Sequence, residues 1–422
     1  MQRPTRTSDL TLRYGSSLRA ASVVETLERA RQVGVKLGIT RVTEITRLDR
    51  PGIPVCVSIR PDALPGSLCV NAGKGVTPEE ARVGAWMEAI EYALAEPGAS
   101  FVPTVEATAR DVLDGRARPD AILDLCPILG TEIPLDAPLA CVEVEEILSQ
   151  TSCCVPAELV FLPTPPHLPG VGWFGSSSGG LASGNTLLEA TVHGLAEVIE
   201  HDIRAFCLLA DTSVPVREES FPDPALALAL AIRAANLSLE VTYQPNVFGL
   251  PFFNATIRDR ESDSPLFRNG GYGCHPHRSI ALVRALCEAA QSRLSFIHGG
   301  RDDLTDWEQL AKSPPHASEP GAAHTTPGGG NAGNAATDRT RREAIDFRTI
   351  PDYAASAATL ESCFETLRRS LRAAGFERIC RVAFTAALDP VQVVRVLVPG
   401  LESFGCFLPR VGRRLSEFAE HL

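Results

Sequence analysis

The sequence predicts an α/β (α+β) protein in which mixed sheets carry packed helices, with neither a P-loop nor a Rossmann motif. Three observations carry that expectation. Helical periodicity recurs with capping signals, short β-branched runs lie between the helices, and Pro- and Gly-marked turns separate the two. With 422 residues and 44% hydrophobic content the chain can bury a large core.

Residues 1–66 read as an α/β lead-in, with a helix over Val23–Lys36 and a strand over Val55–Ile59 ahead of the Arg60-Pro61 turn. Residues 67–312 form the central part. A strand over 67–75 ends in a Gly-Lys-Gly turn. A helix follows, with Thr77 as N-cap, Pro78 in the first position and Glu80 closing a capping box. Pro97-Gly98 stops it. Recurrent Pro over 101–170 predicts short strands and turns. A loop of small residues, Gly179–Asn185, leads into a second helix capped by Thr186. A third runs over Ser279–His298 and stops at Gly299-Gly300. Residues 313–344 are low-complexity sequence, expected to be a disordered insertion. Residues 345–422 complete the fold, with a buried strand over Val391–Val398. No internal repeat is evident.

The net charge of −11 disfavours nucleic acid as a partner. The N-terminus lacks a signal peptide, and no apolar run approaches a membrane span, Ala225–Ile232 being far too short. The expectation is a cytoplasmic protein. Twelve cysteines occur without a Cys-x-x-Cys pair and read as small apolar residues, with a metal or redox role for Cys153-Cys154 as the alternative.

Chemistry concentrates on the helices. Glu189, His193, Glu197, Glu200 and Arg204 fall in one stripe about 80° wide, opposite Leu195 and Ile199. Glu88 and Glu91 share a side of the first long helix, and Arg284, Glu288, Gln291 and Ser295 share a face of the third. A solvated acidic face is the plain alternative, but few Lys or Arg partners alternate with these acids. Carboxylates at this spacing suit Mg²⁺, which takes one or two of them plus substrate phosphates. Arg284 suits phosphate oxygens, and the Gly179–Asn185 amides precede a helix N-terminus, which favours an anion. The expected ligand is ATP held through Mg²⁺. Gly73-Lys74-Gly75 does not complete a Walker motif.

Two other chemistries stay open. Gly175–Gly179 matches Gly-x-Ser-x-Gly, a serine-hydrolase elbow with Ser177 as nucleophile if a strand precedes it directly and a helix follows. Glu189, His193 and Glu197 could ligate a transition metal in a helical bundle. His275 is a further candidate, or a turn histidine.

The segment Gly179–Asn185 with Glu189, Glu197, Glu200 and Asp202 resembles the central motif of the YcaO family. Gly84–Glu91, Arg284–Arg293 with Arg301–Asp303, and Val398–Glu402 resemble its other motifs, in the same order over about residues 40–410. Arg13–Arg19 resembles a region of the family that touches phosphate. The resemblance implies a YcaO-like ATP-binding fold and an ATP- and Mg²⁺-dependent enzyme acting on peptide backbone amides. An azoline forms when a neighbouring Cys, Ser or Thr attacks, and a thioamide with external sulfide. By the same resemblance Glu88, Glu91, Glu197 and Glu200 are magnesium and phosphate-site residues. Asn185 and Glu189 help hold the nucleotide, Gln291 sits near the phosphates, where the chemistry of Arg284 already points, and Ser17 and Arg19 fall in the segment like the phosphate-touching region.

Gly84, Tyr92 and Ser295 depart from the family's common Ser, Arg and Arg at those places. The end of the chain, Arg414–Leu422, lacks the Pro-rich tail of many ring-forming members, which moves weight toward the thioamide. The implied partners are a peptide or protein substrate, a separate leader-binding or TfuA-like protein, and a second copy in a homodimer. A non-catalytic ATP-binding accessory factor is the alternative function.

Overall fold

The computed structural model describes residues 11–113, 118, 120–261, 267–301, 304, 342–405 and 408–422. Most of the low-complexity segment expected over 313–344, and Asp302 and Asp303, lie outside the described residues.

Strands β1 (Leu12–Arg13) and β2 (Leu18–Arg19) form a hairpin ahead of helix α1 (Val23–Lys36). The α1 start is a full capping box, Ser22 with Glu25. β3 (Arg41–Glu44), β4 (Val55–Ile59) and β5 (Val70–Lys74) make a three-stranded sheet, and α2 (Pro78–Ala95) follows. β6 (Val105–Thr108), β7 (Pro138–Glu146), β8 (Thr151–Pro156) and β9 (Leu181–Gly184) precede α3 (Leu187–Leu209). β10 (Val214–Pro215), α4 (Ala225–Ala234), β11 (Leu237–Tyr243), β12 (Phe252–Asp259) and β13 (Arg268–Cys274) lead to α5 (Arg278–His298). α6 (Leu360–Ala373), β14 (Cys380–Ala383), β15 (Gln392–Leu397) and α7 (Arg413–Glu420) complete the described chain.

β10 to β13 form a four-stranded sheet in sequence order. The six-stranded sheet runs β6-β7-β14-β15-β9, with β8 also paired to β7. The expected α+β architecture of several sheets with packed helices is met. Within the sheets every described strand pairing is antiparallel; parallel pairing is confined to isolated bridges such as Val216 with Ile345.

Two expectations are corrected here. Residues 181–184 are a strand, not a loop. Their side chains are small because β9 lies against α3: a Cβ on Gly184 would come 2.6 Å from the Ala190 amide nitrogen. An internal repeat does exist. β5–α2, β9–α3 and β13–α5 are three strand–turn–helix units. Their N-caps Thr77, Thr186 and His277 each stand eleven residues before Glu88, Glu197 and Glu288. Gly73 packs on Ala81 and Ala85, and Gly273 packs on Ala281 and Ala285, at the same offsets. Spacing is kept while side chains differ, so the repeat is hidden at the level of residue identity.

β5, β9 and β13 are each the edge strand of their sheet. The three helices bury their apolar sides outward from the common centre. Leu195, Ile199 and Ile203 of α3 pack with Val394, Val396 and Leu367. Trp86, Ile90 and Leu94 of α2 join the six-stranded sheet's core. Ala281, Ala285 and Ala289 of α5 pack on the four-stranded sheet.

Cys153 and Cys154 do not act as a vicinal pair. Successive strand residues face opposite sides, so Cys153 is buried with its sulfur 3.8 Å from that of Cys380, while Cys154 is half-buried. No helix among the described residues is long and apolar enough to cross a membrane.

Candidate active site

The three units enclose a cavity of 520 Å³. Glu88 and Glu91 line it from α2, Glu189, Glu197 and Glu200 from α3, and Arg284 and Gln291 from α5. The β1–β2 hairpin closes one side with Ser17 and Arg19. Asn185 is the exception among the expected residues and does not line the cavity.

The acids have found partners that sequence periodicity does not show. An edge strand leaves main-chain N–H groups unpaired, and such groups need acceptors. Ala72 of β5 donates to Glu88 (3.0 Å), Tyr272 of β13 to Glu288 (3.2 Å) and Cys274 to Glu200 (2.8 Å). Gly180, just before β9, donates to Glu197 (3.3 Å), and the Ser183 hydroxyl to Glu91 (2.5 Å). Gln291 donates to the Ala72 carbonyl (2.5 Å). Three open sheet edges thus point at one another, and the glutamates fill the space between them.

Glu288 and Lys74 were not among the expected site residues. They form an ion pair of 2.8 Å inside the cavity. The equal spacing of the three units was the signal: Glu288 occupies in α5 the place of Glu88 and Glu197.

Glu80 does not close the expected capping box. Thr77 caps α2 by accepting from Glu80 N, but the Glu80 carboxylate accepts from Val76 N (3.0 Å) and Ser16 Oγ (2.8 Å). It ties the hairpin to α2 instead.

Glu189 is similarly engaged. It accepts from Arg19 (3.0 Å), Ala20 N (3.0 Å) and Asn185 Nδ2 (3.2 Å), and is almost fully buried. Asn185 Oδ1 accepts from Thr26 (3.1 Å) and Arg29 (3.4 Å) of α1. With both Glu189 oxygens taken, the Glu189, His193 and Glu197 transition-metal set is not supported. The hydrolase elbow is also unsupported: Ser177 precedes β9 rather than standing between strand and helix. His275 lines the cavity, its Nδ1 accepting from His277 N (2.9 Å).

Charge in this cavity is poorly balanced. Burial pushes Glu91 up to about 8, with Glu88 and Glu197 adding to the shift and Ser183 opposing it. Burial and then Glu200 raise Glu197 to about 7; burial and then Glu288 raise Glu200 to about 7. Burial also presses on Glu288, but Lys74, the Tyr272 amide and Arg284 together hold it below its ordinary value. His193 is held well below its usual range by burial, then by Arg284, Arg19 and Lys74. Burial and Arg204 bring His201 down to about 4.

Burial and mutual repulsion outweigh the cations Arg284 and Lys74 that act on Glu197 and Glu200. Among the described residues no group of three or more His, Cys, Asp or Glu is drawn together tightly enough to hold a metal alone. That fits Mg²⁺, which keeps few protein carboxylates and takes the rest of its shell from phosphates and water. Carboxylate oxygens and the cations Lys74, Arg284 and Arg19 all line one cavity large enough for a nucleotide.

Comparison with known proteins agrees. A family profile described as YcaO cyclodehydratase, ATP- and Mg²⁺-binding, matches residues 72–402. An uncharacterized protein of Methanothermobacter thermautotrophicus is 33% identical over 389 residues, covering 90% of this chain and 94% of its own. A Rhizobium leguminosarum bv. trifolii protein, named for its place in the tfuA 3′ region, is 34% identical over 402 residues, covering 91% and 88%. The fold matches YcaO from Methanopyrus kandleri, solved with AMPPCP and Mg²⁺, with a TM-score of 0.70 and 23% identity over 96% of this chain and 99% of that one. It also matches a heterocyclase solved with substrate and cofactor, with a TM-score of 0.69 and 20% identity over 94% and 54%. The chain belongs to the YcaO family, whose domain binds ATP and Mg²⁺.

Proposed function

We propose that this protein activates a peptide backbone amide at the expense of ATP, and that external sulfide then gives a thioamide. The observation that carries the reading is the convergence of Glu88, Glu91, Glu197, Glu200 and Glu288 with Lys74 and Arg284 in one cavity. Bound ATP with Mg²⁺ supplies the phosphoryl group that turns the amide oxygen, a poor leaving group, into phosphate. The chain's own contribution is placement and charge. Glu88, Glu91, Glu197 and Glu200 would line the magnesium and phosphate site, one or two of them to a metal ion. Arg284, Gln291, Ser17 and Arg19 would face the phosphates, while Glu189 and Asn185 anchor the hairpin and α1 beside them. Such fixed charges act strongly where water is excluded.

The name of the Rhizobium relative supports a TfuA-like partner and, with it, the thioamide branch. Azoline formation is the other outcome of the same activation. The test is the intact mass of a candidate peptide incubated with the protein, its partner, ATP, Mg²⁺ and sulfide. A gain of about 16 Da marks oxygen-to-sulfur exchange and a loss of about 18 Da marks ring closure, the two fates of one phosphorylated amide. ATP consumption with neither change in any candidate peptide would contradict amide activation.

A further inference from the structure

Two acids of the sequence motifs, Asp202 and Glu402, take no part in lining the cavity. Asp202 lies two residues beyond Glu200 on α3, hence on the other side of the helix. It is almost wholly buried. Its carboxylate accepts from the Glu402 amide (2.7 Å) and from both terminal nitrogens of Arg414 on α7, the nearer at 2.5 Å.

The Arg414 guanidinium is itself held by two aromatic rings. Its centre lies 4.9 Å from the ring of Phe206, one turn on from Asp202, and 4.9 Å from that of Phe376. Nη1 also reaches the Gly400 carbonyl (3.3 Å). Glu402 accepts from Gly412 N (2.6 Å) and Leu415 N (2.9 Å), which fixes the start of α7. Phe418 of α7 meets Phe206 edge-on at 5.2 Å. Together these contacts grip α3 from behind, at Asp202 and Phe206, within the two turns that follow Glu200.

We propose that Arg414 is a positioning residue for the nucleotide site: through Asp202, α7 sets the rotation of α3 that turns Glu197 and Glu200 into the cavity. This rests on the reading of that cavity as the ATP and Mg²⁺ site. A helix rotated by a fraction of a turn would keep its apolar packing roughly intact but separate the two carboxylates from the edges of β9 and β13. The loss would therefore appear in Mg²⁺ affinity before it appears in the fold.

The test compares Arg414→Ala, Arg414→Lys and Arg413→Ala in the full chain. Arg413, the neighbouring residue, pairs instead with Asp120 and Asp124, so its variant weakens α7 without touching Asp202. Mg²⁺ is titrated at fixed AMPPCP, well below the Tm of every variant. Arg414→Ala should raise the Mg²⁺ needed for half-saturation by about tenfold, the usual effect of losing a group that orients a metal's ligands. Arg414→Lys keeps the charge but not the fork or the stacking, and should recover part of the loss. It also carries the test if the alanine variant does not fold. Arg413→Ala should change the midpoint less than about twofold while lowering Tm. Equal midpoints for the wild type and both Arg414 variants would overturn the proposal, as would equal shifts for Arg413→Ala and Arg414→Ala. Absence of Mg²⁺-dependent binding by the wild type would instead remove the nucleotide site itself, and the brace with it.

Discussion

Glu200 of α3 accepts the main-chain amide of Cys274 at 2.8 Å, joining a helix of one unit to the open strand edge of the next. Glu88 and Glu288 do the same within their own units, on Ala72 and Tyr272. The carboxylates are therefore placed by the unfinished edges of three sheets. Five acids gather in one cavity because four of them accept a backbone amide and Glu91 accepts the Ser183 hydroxyl, and their shared excess of charge favours a cation there.

Burial raises the folded pKa of Glu91 to about 8 and of Glu197 and Glu200 to about 7, above the unfolded value near 4.5. Between these values the folded form binds more protons, so stability without Mg²⁺ falls as pH rises. His193 and His201, held low by burial, oppose this only below about 6.5. Glu288, held low by Lys74, acts only below its ordinary value. Urea midpoints should therefore decline from about pH 6.5 to 8. Glu91→Gln should flatten the decline. A midpoint that rises over this window would contradict the electrostatics described.

Binding of Mg²⁺ with nucleotide should release protons in the same window, because the metal favours the ionised carboxylates. Calorimetry in buffers of different ionisation enthalpy measures this directly. The expected release is on the order of one proton near pH 7. No buffer dependence would show that the raised acids do not meet the metal.

Glycines in the β5–α2 and β13–α5 units decide how closely strand and helix approach. A Cβ on Gly273 would collide with the Ala281 carbonyl and come 2.9 Å from the Ala285 nitrogen. Gly273→Ala should cost about 3 kcal/mol by overpacking. Gly98→Ala, at φ +79° with nothing within 4 Å of the added carbon, should cost about 1 kcal/mol of backbone strain. Chemical denaturation of both variants checks the order; equal losses would contradict the close approach.

Glu189 holds the hairpin through Arg19 and Ala20. Glu189→Ala leaves the Ala20 amide and Asn185 Nδ2 without this acceptor and should cost about 1–3 kcal/mol. Proteolysis should then cut the hairpin ahead of α1 more readily. Unchanged urea midpoint and cleavage pattern would show that the hairpin is held elsewhere.

Much of this was legible from residues alone. α1 spans the expected Val23–Lys36 and β4 the expected Val55–Ile59, because helical periodicity and a β-branched run are local signals. α5 ends at His298 with Gly299 in the left-handed region, as its Gly-Gly stop predicts. β9 was not legible. Leu181–Gly184 has the composition of a loop, and only pairing with β15 makes it a strand. The same holds for Glu80, whose carboxylate accepts from Val76 N and from Ser16, 64 residues away, rather than from the Thr77 amide. The grouping of acids on helix faces was visible, but not what they accept from, since edge amides belong to other units. Glu288 was passed over because its unit lacks the second glutamate: Gln291 stands there.

On the proposed function the glutamates facing the three strand edges form a Mg²⁺–ATP site. Titration of AMPPCP into the full chain, with and without Mg²⁺, tests it most directly. The wild type should bind in a Mg²⁺-dependent way, and binding should weaken by about tenfold or more in Glu197→Gln and in Glu200→Gln, both still folded. Binding that is tight without Mg²⁺ and unchanged by both substitutions would contradict it.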